Sequence, residues 1–290
     1  MTNQDLSAYA VQDVLNFYKE LPFNFYSSLE KQIESVKKGK INIVANGPLE
    51  NEIKNNKRIL DVGCGAGFLS NSISYLYPDK YVYGIDFNEV AVERAKKVAN
   101  EMSLSSKFET KDLFKFYPDK KFDLVISLGV LMHTYDCFEG VKSILNNMLA
   151  ENGKIYIGLY HSYGRKPFLD YFKELKKKGF SEDDQIKEYA KFHSNLKDKT
   201  HLKSWFRDQV QHPYEKQFSL KEVADFLDTN NFEILSTSIN KFGTISKDEN
   251  QNKLNALFEL EKKYEEIGKT ALKEKRYFPG FFTFLARKRK

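Results

Sequence analysis

The stretch Arg58–Ser70, RILDVGCGAGFLS, constrains this chain more than any other. Ile59, Leu60 and Val62 form a short apolar run with β-branched character, which reads as a buried parallel strand. The run passes directly into Gly63-Cys64-Gly65-Ala66-Gly67, and Leu69, Ile73 and Leu76 follow at helical spacing. A strand, a glycine turn and a helix in that order bring backbone close to a ligand at a helix N-terminus. A second apolar strand, Tyr81–Ile85, ends on Asp86, well placed to accept hydrogen bonds from a ribose diol. The unit is a βαβ motif suited to a nucleoside.

The glycines narrow the nucleoside. A dinucleotide fingerprint requires a small residue at the sixth position from the first glycine, where helix packs on strand. Phe68 occupies that position, and Asp61 stands two residues before Gly63. A carboxylate there repels a pyrophosphate but suits a cationic ligand. The run D-V-G-C-G-A-G followed by G-I-D resembles motifs I and II of the class I S-adenosylmethionine-dependent methyltransferases. The resemblance implies that the glycine turn lies against the amino-acid end of S-adenosylmethionine and that Asp86 holds its ribose. Lys111-Asp112-Leu113, after a short strand at Lys107–Thr110, resembles motif III, which touches the adenine. The cofactor contacts that the resemblance implies are Asp61, Gly63, Gly65, Gly67, Asp86, Phe87, Asp112, Leu113 and Leu128.

The rest of the chain extends the same α/β rhythm. Phe122–Gly129 reads as a fourth strand buried on both faces, and Asn152-Gly153 turns into a fifth at Lys154–Leu159. Phe232–Leu235 is a sixth strand and Gly280–Arg287 a last one, returning antiparallel beside the sixth. A single charged helix is expected over 252–275. The expected fold is therefore α/β: a seven-stranded, mostly parallel Rossmann-like sheet with helices on both faces. Residues 1–50 form an N-terminal helical cap, with Leu21-Pro22-Phe23-Asn24-Phe25-Tyr26 as an aromatic break that can roof the cleft. Residues 51–163 and 217–290 form the cofactor-binding core. Residues 164–216 break the rhythm, since a connection of that length is foreign to a bare βαβ fold. They read as a helical insertion acting as lid, substrate pocket or dimer contact, with Arg207, Asp208, His212, Tyr214 and Glu215 clustered at its end.

Ligands sit beyond the carboxyl ends of strands in an open parallel sheet, which directs attention to two polar groups. Val130-Leu131-Met132-His133 follows the fourth strand, and Tyr160-His161-Ser162 ends the fifth. His161 and His133 are the candidate bases and Tyr160 a positioning group. Methyl transfer from a sulfonium needs positioning more than acid–base machinery, so the lack of a catalytic triad is expected.

Lys and Arg number 46 against 40 Asp and Glu, a net charge of +6 spread along the chain, so charge does not single out a nucleic-acid face. The fourth strand is followed by Ser127-Leu128-Gly129-Val130 rather than an Asp/Asn-Pro-Pro-Tyr motif, and Cys137 follows Asp136 rather than proline. Those features disfavour base-amine and cytosine-C5 methylation of nucleic acid. With no run of eighteen apolar residues and no basic-then-apolar leader, a cytoplasmic protein without a membrane span is expected. Two cysteines support no disulfide framework, and His212 with Glu215 lacks a third convergent ligand, so no metal is expected. The leading expectation is O- or N-methylation of a small metabolite or biosynthetic intermediate by a monomer or homodimer. An RNA-modifying enzyme, above all on tRNA, and a non-catalytic cofactor-binding subunit are the alternatives.

Overall fold

The computed structural model describes residues 3–38, 47–193, 195–243, 245 and 250–289. Helices α1 (Asn3–Glu20), α2 (Leu29–Lys38) and α3 (Leu49–Asn55) precede strand β1 (Arg58–Val62). Then come α4 (Phe68–Leu76), β2 (Tyr81–Asp86), α5 (Glu89–Glu101), β3 (Lys107–Thr110), β4 (Phe122–Leu128), α6 (Cys137–Ser143) and β5 (Leu149–Tyr160). Three consecutive helices follow, α7 (Ser162–Lys177), α8 (Glu182–Ala190) and α9 (Lys199–Val210). The chain closes with α10 (Leu220–Thr229), β6 (Phe232–Thr237), α11 (Asn250–Glu261), α12 (Tyr264–Lys273) and β7 (Phe281–Lys288).

The seven strands lie in the order β3-β2-β1-β4-β5-β7-β6, with β7 antiparallel to both its neighbours and the other pairs parallel. The expected sheet is therefore present, and its last strand sits between the fifth and the sixth. Beyond β1 the order reverses between β2 and β4, which opens a crevice past their carboxyl ends. Alternation along β1 sends Leu60 and Val62 to one apolar layer and Ile59 to the other, where Leu69 and Ile73 of α4 cover it. Asp61 lies on that second face, and this fixes its environment below. No helix among the described residues is long and apolar enough to cross a membrane.

Three local expectations need correction, and one helix stands where none was expected. Helix α3 carries only Leu49 and Ile53 as buried apolar residues, too short a pattern to stand out, yet both pack beneath β1. Strand β5 starts at Leu149, which pairs with Phe122, and Asn152-Gly153 lies within the strand's shifted register instead of before it. The charged helix expected over 252–275 is two helices, broken at Lys262-Lys263. The break lets Gly268 of α12 approach α7, where a Cβ would stand 3.1 Å from Pro167 Cγ. Finally, the departure from the βα rhythm begins at Ser162 rather than 164, because His161 caps α7. The three helices α7, α8 and α9 share an aromatic core of Phe168, Phe172, Tyr189, Phe192 and Phe206. Ser219 and Glu222 form the reciprocal capping box at the head of α10.

Candidate functional site

A pocket of about 390 Å³ occupies the crevice at the carboxyl ends of β1, β2 and β4. Its floor is the glycine turn. Gly63 and Cys64 donate backbone N–H bonds to Ile85 O at 2.8 and 3.0 Å, tying the turn to the end of β2. Gly63 and Gly65 line the pocket; Gly67 does not. The difference is geometric. At Gly65, with φ +51°, an added Cβ would meet nothing within 4 Å, so that backbone faces open space. At Gly67, with φ +79°, a Cβ would fall 2.6 Å from Ala95 Cβ. Gly67 therefore serves the packing of α4 on α5, where the resemblance implied a cofactor contact.

Asp86 stands beside the turn on the pocket wall. Its Oδ2 accepts from Gly65 N and its Oδ1 from Asn88 N, both at 2.8 Å. Burial raises this carboxyl above its ordinary value, while the backbone N–H groups pull the other way. Each oxygen keeps lone pairs for a further donor. Phe87, Asp112, Leu113 and Leu128 also line the pocket. Asp112 has a structural duty as well: its Oδ1 caps the turn Leu113–Lys115 by accepting from Phe114 N at 2.9 Å.

Asp61 is absent from the pocket lining, contrary to expectation. It points under the turn toward α4, where Ser70 Oγ donates to its Oδ2 at 2.6 Å. Burial pushes its carboxyl up to about 6, opposed by the Ser70 bond and reinforced by the charge of Asp86. Sequence reasoning also missed Gln32. It lies on the polar side of the α2 pattern, yet it is buried and its Nε2 donates to Ala66 O at 2.7 Å. The N-terminal segment is thereby fastened to the glycine turn.

The second wall carries the histidine question. His133 lines the pocket at only 6% exposure. Its Nδ1 is 3.0 Å from Tyr214 O, and a carbonyl can only accept, so Nδ1 carries the proton of the neutral ring. Nε2 is left with a lone pair, and it is buried without a hydrogen-bond partner. His212 stacks on this ring with centroids 3.7 Å apart. The Tyr214 N–H donates to His212 Nδ1 at 3.1 Å, so the backbone of one residue sets the two rings in opposite tautomers. Burial holds His212 down at about 2, so it stays neutral at any physiological pH.

His161 is not in this pocket, and the expectation that it faces the cleft is corrected. It is fully buried, its Nδ1 accepts from Gly164 N at 3.2 Å as the cap of α7, and its Nε2 is 2.9 Å from Glu261 Oε2. The chain turns into α7 directly after β5, so this strand end is consumed by helix initiation. Tyr160 is also buried and outside the lining, with the Arg165 guanidinium 3.8 Å from its ring centroid. Burial raises its hydroxyl well above the ordinary value.

The roof comes from distant sequence. Val14, Leu15 and Tyr18 of α1, with Pro22 and Phe23, cover the pocket, and Asp208 of α9 completes the wall. Tyr18 Oη donates to Asp208 Oδ1 at 2.6 Å across 190 residues of chain. Burial raises the Asp208 carboxyl, with the Tyr18 bond and the charge of Arg165 opposing. Asn88 Nδ2 donates to Tyr18 O at 2.9 Å, joining this roof to the end of β2. The insertion thus contributes a residue to the pocket itself.

A methyltransferase domain family matches residues 53–210 of the chain. The malonyl-acyl-carrier-protein O-methyltransferase of Bacillus cereus is 23% identical over 157 residues, 53% of this chain and 52% of that protein. Phosphoethanolamine N-methyltransferase 1 of Arabidopsis thaliana is 29% identical over 133 residues, 46% of this chain and 27% of that protein. The chain spans about half the length, or less, of these two relatives. Magnesium protoporphyrin IX methyltransferase from Synechocystis, solved with bound SAH, superposes with a TM-score of 0.51 at 16% identity, over 99% of this chain and 97% of that one. PKMT2 from Rickettsia typhi, in complex with AdoHcy, gives a TM-score of 0.57 at 17% identity, over 92% of this chain and 54% of that one. At these identities the structural likenesses speak to the fold.

Proposed function

The chain belongs to the methyltransferase domain family, and from that premise we propose that it transfers the methyl group of S-adenosylmethionine to a nitrogen or oxygen of a small-molecule acceptor. The observation that carries this reading is one pocket that joins the open backbone of Gly65, the Asp86 carboxylate and the unpartnered Nε2 of His133. The residues present fit the cofactor. Open space over Gly65 leaves room for its amino-acid end, and Asp86 retains acceptor capacity for a ribose diol. Asp112 and Leu113 stand at the same rim for the base.

When bound, S-adenosylmethionine supplies a methyl carbon on a positively charged sulfur, open to in-line displacement. The chain then has to hold the acceptor atom about 3–3.5 Å from that carbon and keep water away. Leu15, Pro22 and Phe23 provide the apolar cover. His133 Nε2 takes the proton that the acceptor gives up, a role its Tyr214-fixed tautomer already suits.

The test is to incubate the enzyme with isotopically methyl-labelled S-adenosylmethionine and a cell extract, then separate small molecules from RNA and protein. Label should appear in the small-molecule fraction, and His133→Asn should slow its appearance by roughly 10²–10⁴-fold. Label confined to RNA would overturn the acceptor class, and no transfer at all would overturn the activity.

A further inference from the structure

Two side chains on the pocket lining, His133 and Asp208, have hydrogen-bond acceptor capacity to spare. His133 offers the lone pair of Nε2, as its tautomer dictates. Asp208 receives one hydrogen bond, from Tyr18 Oη to Oδ1, and Oδ2 receives none among the described residues. The Tyr18 hydroxyl hydrogen is spent on that bond. The nearby cation is also committed elsewhere. Arg165 grips Glu215 with Nε and Nη2 at 2.9 and 2.6 Å and gives a further bond to Gln209 O at 2.6 Å. Lys111, a cation that does line the pocket, is exposed and paired with Glu109 at 3.3 Å. Arg165 acts on the Asp208 carboxyl through its charge but gives it no hydrogen bond, so a carboxyl oxygen on the lining is left without a donor, which is costly unless a ligand supplies one.

We infer that the methyl acceptor is an amine on an apolar body, held through its N–H groups by Asp208 and His133. The inference rests on the methyl-transfer reading above and names the substrate class of that same site. Two acceptors demand two hydrogens on one atom. A hydroxyl carries one, so it would leave either Asp208 or His133 unsatisfied. A carboxylate carries none at neutral pH and would face Asp208 as a like charge. An ammonium supplies both the hydrogens and the charge. One N–H remains on Asp208 while a second proton passes to His133 Nε2, which exposes the nitrogen lone pair for the new N–C bond. Val14, Leu15, Pro22 and Phe23 fit an apolar substituent on that nitrogen.

The experiment uses the full chain saturated with S-adenosylhomocysteine and three probes of one shape: benzylamine, benzyl alcohol and benzoate. Dissociation constants come from calorimetry or ligand-observed NMR. Benzylamine should bind at least tenfold more tightly than either of the others. Asp208→Asn should cut that preference at least tenfold and leave S-adenosylhomocysteine affinity within twofold of wild type. The wild-type comparison stands alone should the variant fail to fold. Equal or tighter binding of the alcohol or the acid overturns the inference, as does benzylamine that fails to bind at millimolar concentration. In either case retained S-adenosylhomocysteine binding leaves the methyl-transfer reading intact. Failure to bind S-adenosylhomocysteine at all overturns both.

Discussion

Replacing Gly65 and Gly67 separately by alanine tests whether the glycine turn has been divided correctly between ligand and fold. An L-residue at φ +51° pays the left-handed penalty, about 1–2 kcal/mol, but the new methyl at position 65 meets no protein atom within 4 Å. At position 67 the same penalty applies at φ +79°, and the methyl also lands 2.6 Å from Ala95 Cβ and 3.1 Å from its Cα. Overpacking of that kind adds about 1–3 kcal/mol, for a total of about 2–5 kcal/mol. Urea denaturation of both variants should therefore show Gly67→Ala as the less stable by a clear margin. Calorimetric titration with S-adenosylhomocysteine should show the reverse order of damage. Gly65→Ala puts a methyl into the pocket and should weaken binding at least tenfold, about 1.4 kcal/mol, while Gly67→Ala retains affinity wherever it remains folded. A Gly65→Ala protein that binds normally, or a stable Gly67→Ala protein that has lost the ligand, would refute this division.

Two further perturbations follow from buried carboxyls and histidines. Because burial lifts Asp61 from 3.8 to about 6, the folded chain takes up a proton more readily than the unfolded one, and stability falls as pH rises from about 4 to about 6. Asp61→Asn removes that slope and should gain up to about 3 kcal/mol at pH 7 with no gain below pH 4; parallel pH profiles for the two proteins would contradict this. His161→Leu should destabilise by about 1–3 kcal/mol, since it strips a partner from buried Glu261, and should leave turnover within a few-fold. A stable His161→Leu protein with turnover down a hundredfold would restore His161 to the chemistry.

What could be read from the sequence was local. Strand, glycine turn, helix and Asp86 lie within thirty residues and carry their own spacing, and the Ser219–Glu222 capping box is a four-residue pattern. The site's second half was not legible because it is assembled from contacts of long range. Nothing in the α1 pattern says that Tyr18 meets Asp208, and nothing in α2 says that Gln32 reaches Ala66 O. His161 misled for a definite reason. The rule that ligands sit at carboxyl strand ends presumes a loop there, whereas β5 is followed at once by a helix that needs a cap. Asp61 misled through alternation: one residue's shift in facing separates the pocket from the α4 side of the sheet.

The central claim, that this pocket holds S-adenosylmethionine through the glycine turn and Asp86, meets its most direct test in one calorimetric titration series. Wild type and Asp86→Asn are each titrated with S-adenosylhomocysteine and with NAD. The account predicts one-to-one binding of S-adenosylhomocysteine by wild type and far weaker binding of NAD. It also predicts a loss of about 1.5–3 kcal/mol, roughly 10- to 150-fold, in a folded Asp86→Asn protein that no longer offers a charged acceptor to the ribose. NAD binding more tightly than S-adenosylhomocysteine, or an Asp86→Asn protein of undiminished affinity, would contradict it.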